Sequence, residues 1–184
     1  MELITKSQLA EVRTSYERTR TYTAINEASA IKDSRKATAT EVSIFLSHKH
    51  DQKKELQEAI ALLRKVNINV YVDWEDQGMP KTTSGITAKR LKQKIQSCKK
   101  FILLATEQAI GSIWCNWELG IGDVHKYENN IALLVIKENS GNWSGSEYLQ
   151  IYPVIGRKYS YTNEYFEVEF PDGKKMDLIT WLNS

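Results

Sequence analysis

A chain of 184 residues, 41% of them hydrophobic, is long enough for one domain with a full core and too short for two. Its net charge of +2 gives no bulk attraction to nucleic acid or an acidic membrane, and no stretch approaches the ~18 apolar residues of a membrane span, so neither partner is expected. Cys98 and Cys115 are the only cysteines, and without C-x-x-C spacing or a secretory leader they are expected to be reduced thiols of a cytoplasmic protein, with no disulfide framework and no thiolate zinc site.

Thr5-Lys6-Ser7-Gln8 has the form of a capping box, and Ile4 and Leu9 stand as a hydrophobic staple across it, so a helix is expected from there. Leu9, Val12 and Tyr16 continue at helical spacing, followed by Ile25 and Ala28. Residues 32–40 are polar and small, the mark of a connection. A boundary is therefore expected near Thr38, with a helical extension over residues 1–38 and the main domain over 39–184.

From Val42 the pattern changes. Val42-Ser43-Ile44-Phe45-Leu46 reads as a strand covered on both faces, and Leu56, Ile60, Leu63 and Val66 follow at helical spacing. Ile68-Asn69-Val70-Tyr71-Val72 is the next expected strand, and a loop from Asp73 to Ser84 carries Gly78 and Pro80. A helix over Ile86 to Ser97, a strand at Phe101 to Ala105, a helix capped by Ser112 and running to about Tyr127, and a strand at Ile131 to Ile136 complete the alternation. Beyond it, Tyr152 to Ile155 is expected as a short fifth strand, Phe166 to Phe170 as a strand entering a turn, and Met176 to Leu182 as a closing helix. Alternating strands and helices predict an α/β fold: a central parallel sheet of about five strands with helices on both faces.

Ligands of such sheets bind outside the carboxyl ends of the strands, here at Ser47 to Asp51, Asp73 to Ser84 and Thr106 to Ser112. On the helix after the third loop, 100° per residue predicts Ile113, Trp117, Ile121 and Val124 as the buried stripe. Trp114, Glu118 and His125 then share the edge of that face. A carboxylate beside an indole can hold a sugar ring, although spacing alone favours reading Glu118 as a solvated residue near a helix N-terminus and leaves Trp114 as either core or ligand contact. His48 and His50 flank Lys49 beside Asp51, but no third ligand or nucleophile stands at a defined spacing to make a metal site or a triad.

The stretch Ser43 to Tyr127 resembles the Toll/interleukin-1 receptor (TIR) domain, specifically its bacterial members. Ser43-Ile44-Phe45-Leu46-Ser47-His48 is similar to the family's first strand and loop, and Val70-Tyr71-Val72-Asp73 to its second strand. Gly78-Met79-Pro80 lies in its BB loop. Ser112-Ile113-Trp114-Cys115-Asn116-Trp117-Glu118-Leu119 combines the family's W-x-x-x-E and W-C-x-x-E forms. The blocks Gly78 to Thr82 and Trp114 to Asp123 are most similar to TIR proteins of bacterial antiphage defence, such as the signal-producing component of Thoeris systems.

This resemblance implies a flavodoxin-like TIR fold and an NAD-cleaving enzyme that releases nicotinamide and makes an ADP-ribose-derived product, cyclic or otherwise modified. It implies Glu118 as the catalytic carboxylate, with Phe45, Ser47, His48, Lys49, Asp73, Trp74 and Trp114 around the substrate. NAD is then a substrate, and no metal or helper cofactor is expected. It further implies self-association through the BB loop, Asp73 to Thr82, and a downstream effector that senses the nucleotide product. Two other readings compete. A scaffold TIR domain would bind other TIR surfaces and do no chemistry, while a phosphate-receiver domain would need acidic residues at the strand ends to hold magnesium, where this chain has Ser47-His48-Lys49.

Overall fold

The chain enters the fold as a two-residue strand, β1 (Ile4–Thr5), and turns at once into helix α1 (Lys6–Ser29). The expected capping box makes this turn: Thr5 N–H donates to Gln8 Oε1 at 2.9 Å and Gln8 N–H to Thr5 Oγ1 at 3.3 Å. Ile4 and Leu9, the two halves of the staple, are fully buried beneath it. This computed structural model describes residues 1–29, 43–65, 69–71, 84–126, 128–140, 143, 145–160 and 163–184. The boundary expected near Thr38, the strand ends expected at Ile68 and Val72, Val66, and the loop positions 73–83 lie outside the described residues.

The alternating region gives β2 (Ser43–Ser47), α2 (Lys53–Lys65), β3 (Asn69–Tyr71), α3 (Gly85–Ser97), β4 (Lys100–Ala105), a short α4 (Glu107–Ile110), α5 (Ile113–Lys126) and β5 (Ile131–Lys137). It is followed by β6 (Val154–Ser160), β7 (Asn163–Glu169), β8 (Lys175–Asp177) and α6 (Leu178–Asn183). Among the described residues the sheet order is β3-β2-β4-β5-β6-β7-β8, with β1 paired to β5. Neighbours from β3 through β6 run parallel, whereas β6–β7 and β7–β8 are antiparallel.

Each central strand is apolar on both faces because helices cover both. Ile44 and Leu46, Ile102 and Leu104, and Ala132, Leu134 and Ile136 point into one core with residues of α1, α2 and α6. Phe45, the alternate residues Phe101, Leu103 and Ala105, and Ile131, Leu133 and Val135 point into a second core with residues of α3 and α5. The period of two along each strand thus sorts one apolar run into two cores.

The neighbouring parallel strands β3-β2-β4-β5-β6 are the five-stranded central parallel sheet that was expected, and β1, β7 and β8 extend it. Val154 and Ile155 start β6 as an apolar pair, but Gly156-Arg157-Lys158 breaks the run, which hid the remaining residues of a seven-residue strand. Tertiary partners supply what hydropathy lacks: Arg157 lies over the Tyr159 ring at 4.5 Å, and Lys158 pairs with Glu167 of β7 at 3.5 Å. The closing helix starts at Leu178, two residues later than expected, because Met176 belongs to β8 and Asp177 caps the helix through Ile179 N–H and Thr180 N–H.

The N-terminal segment is woven into this sheet. β1 pairs with Ile136 and Lys137 of β5, and Glu2 exchanges two backbone bonds with Arg157 of β6, at 3.1 and 2.9 Å. The backbones come so close that a Cβ on Gly156 would lie 2.9 Å from the Glu2 carbonyl oxygen. Leu9 and Val12 of α1 pack in the same core as the strands, in accordance with their helical stripe.

At the opposite end of the sheet from the strand-end loops, Lys100 is buried with neutral partners, Asn130 Oδ1 at 2.6 Å and Ser184 Oγ at 3.2 Å, and its ammonium lies 4.7 Å from the centre of the Trp181 ring. Burial, with a smaller contribution from the neighbouring Lys99 charge, pushes its pKa down from 10.5 to about 8. Between these two values the unfolded chain keeps a proton that the folded chain has released, so stability should rise with pH across that window. Denaturant unfolding at a series of pH values should give, between these two values, a slope of stability against pH that is more positive in the native chain than in Lys100→Met.

Candidate active site

The order of the parallel strands puts the chain reversal between β2 and β4, the place where open α/β sheets bind ligands. Ser47 ends β2 there, in register with Leu103 of β4. The strand period turns it to the same face as Phe45, toward α5. From α5 the Glu118 carboxylate reaches the same point, and Ser47 Oγ donates to Glu118 Oε2 at 2.6 Å. Ser47 is 1% exposed and Glu118 4%.

Helix α5 begins as expected. Ser112 accepts from Cys115 N–H at 3.4 Å, and the last described helical residue is Lys126. Its buried face is not the expected one. Ile113 and Val124 are 86% and 73% exposed and Trp117 37%, while Cys115, Glu118, Leu119, Gly122 and Lys126 are buried. The reason is a close approach to the sheet: a Cβ on Gly122 would lie 3.1 Å from the Phe101 ring. At that closest point only a residue without a side chain fits, so Gly122 faces the sheet, and Glu118 and Cys115, four and seven residues before it on the same face, are turned down with it. Glu118 therefore stands inside the contact with the sheet and not at its edge. Lys126 fits the same face by donating its ammonium protons to the carbonyl oxygens of Gln96, at 2.9 Å, and Cys98, which closes the end of α3. Truncating Leu119 to Ala should cost about 2–5 kcal/mol, and truncating Trp117 only about 1 kcal/mol. Paired denaturation curves of the two variants check this assignment.

Around Glu118 the remaining expected residues fall into three groups. His48 follows Ser47 and is buried, with its Nδ1–H donating to Leu46 O at 3.3 Å and its ring stacked on His50 at 5.6 Å. Lys49 is half-buried beside it. Trp114 lies one turn before Glu118, half-buried, and meets Trp117 edge to face at 5.2 Å. Phe45, expected around the substrate, has its ring buried and stacked on Phe101 at 5.5 Å, because the strand period that points Ser47 at α5 puts Phe45 on the same face, in the core below. Asp73 and Trp74, with the rest of Asp73 to Thr82, lie outside the described residues.

Three polar residues that the sequence reading passed over also converge here. Cys115 is buried within reach of the Ser112 and Ser47 hydroxyls, and burial, reinforced by the Glu118 charge, pushes its thiol pKa up. It is thus a neutral neighbour and not a thiolate nucleophile. Thr106, at the carboxyl end of β4, caps α4 by accepting from Ala109 N–H and donates to Gln52 Oε1 at 2.5 Å, which ties the β2 loop to the β4 loop. The position of Thr106 before Glu107-Gln108-Ala109 was a readable cap signal, but nothing in the sequence announced Gln52 as its partner.

The site is a buried carboxylate, fixed by a hydroxyl, under loops at a sheet's point of reversal. Its chemistry suits stabilisation of a developing positive charge. Among the described residues no group of three or more His, Cys, Asp or Glu side chains could hold a metal ion, and no helix is long and apolar enough to cross a membrane.

The chain is similar to known proteins. The chain is 32% identical over 118 residues to a probable 3' cyclic ADP-D-ribose synthase, ThsB', of Bacillus cereus (strain MSX-D12), covering 62% of this chain and 60% of that protein. It is 21% identical over 117 residues to a putative cyclic ADP-D-ribose synthase, TIR2, of Cytobacillus dafuensis, covering 55% of this chain and 31% of that protein. The chain thus spans less than two thirds of the length of either relative. The family model described as the TIR domain matches residues 44–156, which run from β2, through the strand that presents Ser47 and the helix that presents Glu118, into β6, and the chain belongs to the TIR domain family.

Proposed function

We propose that this protein cleaves the bond between nicotinamide and ribose in NAD and turns the remaining ADP-ribose into a cyclic or otherwise modified signalling nucleotide, in bacterial antiphage immunity. The observation that carries this reading is the buried Glu118 carboxylate held by Ser47 at the carboxyl end of β2. The two relatives named as cyclic ADP-D-ribose synthases support it.

As nicotinamide departs, the electron pair of the broken C–N bond goes to its ring nitrogen, and positive charge develops on the ribose carbon and ring oxygen. A carboxylate already fixed and shielded from water stabilises that charge without reorganising. A nucleophile then bonds to the ribose carbon and loses its proton: water gives linear ADP-ribose, and an atom of the same molecule gives a cyclic product. Trp114, one turn from Glu118, would wall a ring, and His48 and Lys49 would meet phosphate or ribose oxygens. The reaction as written uses NAD as substrate and requires no metal or helper cofactor. A separate effector would sense the product.

A second reading, a non-catalytic scaffold that binds further copies of itself, is favoured by one observation: Ile113, Trp117 and Val124 put an apolar stripe on the outer face of α5. Self-association through Asp73 to Thr82 belongs to both readings. Incubation of the purified protein with NAD, with and without infected-cell extract, followed by mass spectrometry of every product, separates them. The enzyme reading expects nicotinamide and an ADP-ribose derivative, and the scaffold reading expects NAD to remain intact while the protein assembles.

A further inference from the structure

A serine hydroxyl has one proton to give. In Ser47 that proton goes to Glu118 Oε2 at 2.6 Å. The hydroxyl is also enclosed, at 1% exposure, and the Cys115 thiol of α5 lies against it. Its proton is therefore not on offer to the phosphate or ribose of a ligand, which is the role expected of Ser47 from the sequence.

Resting on the reading of the site as NAD-cleaving, we infer that Ser47 is a positioning residue, which holds the Glu118 carboxylate in its working orientation and acts on the substrate only through it. The physical reason lies in where the two groups are anchored. Glu118 projects from a helix on three rotatable bonds, whereas Ser47 is the last residue of a strand locked between β3 and β4. One bond from the rigid strand removes the rotational freedom that the carboxylate would otherwise lose in the transition state.

The test separates an effect on turnover from one on binding. Hydrogen bonds to charged groups are strong enough that Ser47→Ala should lower kcat by about tenfold to a hundredfold, with KM changed less than about twofold. Ser47→Thr, which keeps the hydroxyl, should recover most of the lost turnover. In the inactive Glu118→Gln background, adding Ser47→Ala should leave NAD affinity, measured by calorimetry, within about twofold. A rise of about tenfold in KM or in that dissociation constant would show the hydroxyl touching the substrate and overturn the inference, as would an unchanged kcat in Ser47→Ala. If the threonine methyl prevents folding, the calorimetric comparison decides alone. The NAD-cleaving reading fails on a different result, a wild-type protein no faster than Glu118→Gln.

Discussion

Glu118→Gln should nearly abolish NAD cleavage and leave the protein folded. The substitution keeps the shape of the side chain and an oxygen that can accept from Ser47, but removes the charge that faces the ribose in the proposed reaction. Loss of such a group costs about 3 kcal/mol in the transition state, about a hundredfold in rate. Stability responds to opposing terms, because the amide makes a weaker bond with Ser47 but no longer buries a charge. The net change should stay within about 2 kcal/mol, and the melting temperature within several degrees. Nicotinamide release by chromatography and thermal unfolding by circular dichroism, run on the same preparation, check both halves. Equal release by wild type and variant, in the presence of the biological trigger, would leave the scaffold as the surviving reading.

Deletion of residues 1–38 should give the largest loss of stability. A helical extension separate from the domain would leave the sheet folded when removed, but here the segment supplies Ile4, Leu9 and Val12 to the core shared with α2 and α6. Full burial of each aliphatic side chain contributes about 1.5–3 kcal/mol, so three of them approach the total of about 5–15 kcal/mol that holds a typical domain together. The deletion also strips partners from Ile136 and Arg157. The truncated chain should be largely unfolded at 25 °C, and Leu9→Ala in the full chain should lose about 2–5 kcal/mol in urea denaturation. A truncated chain with a native unfolding transition would show that the core closes without the segment.

Local chemistry made much of this protein legible from its residues. The capping box at Thr5 and Gln8, the apolar runs at Phe101 to Ala105 and Ile131 to Ile136, and the cap at Ser112 each depend on contacts within a few residues, so reading them in order recovers the alternation and the fold class. Glu118 was singled out as a candidate through the W-x-x-x-E pattern around it, and its burial was not legible from its helical periodicity. That periodicity misled, because hydropathy assumes that the largest apolar side chains face the core. In α5 the distance to the Phe101 ring decides instead, and a helix seated that close turns Gly122 and Cys115 inward and leaves Ile113, Trp117 and Val124 outside.

The sequence by itself determined which segments are strands and which are helices, since these rest on spacing and on caps that act along the chain. Only the tertiary structure decided how those elements share their polar groups. Arg157 reads as a break in a strand until Tyr159 and the backbone of Glu2 meet it. Ser47 stands at the start of a loop in the sequence, and only the fold brings it to Glu118, 71 positions away, which accepts from its hydroxyl at 2.6 Å. The partner of a hydroxyl or a guanidinium is set by which distant residues the sheet order brings within about 3 Å, and no pattern along a single chain carries that distance.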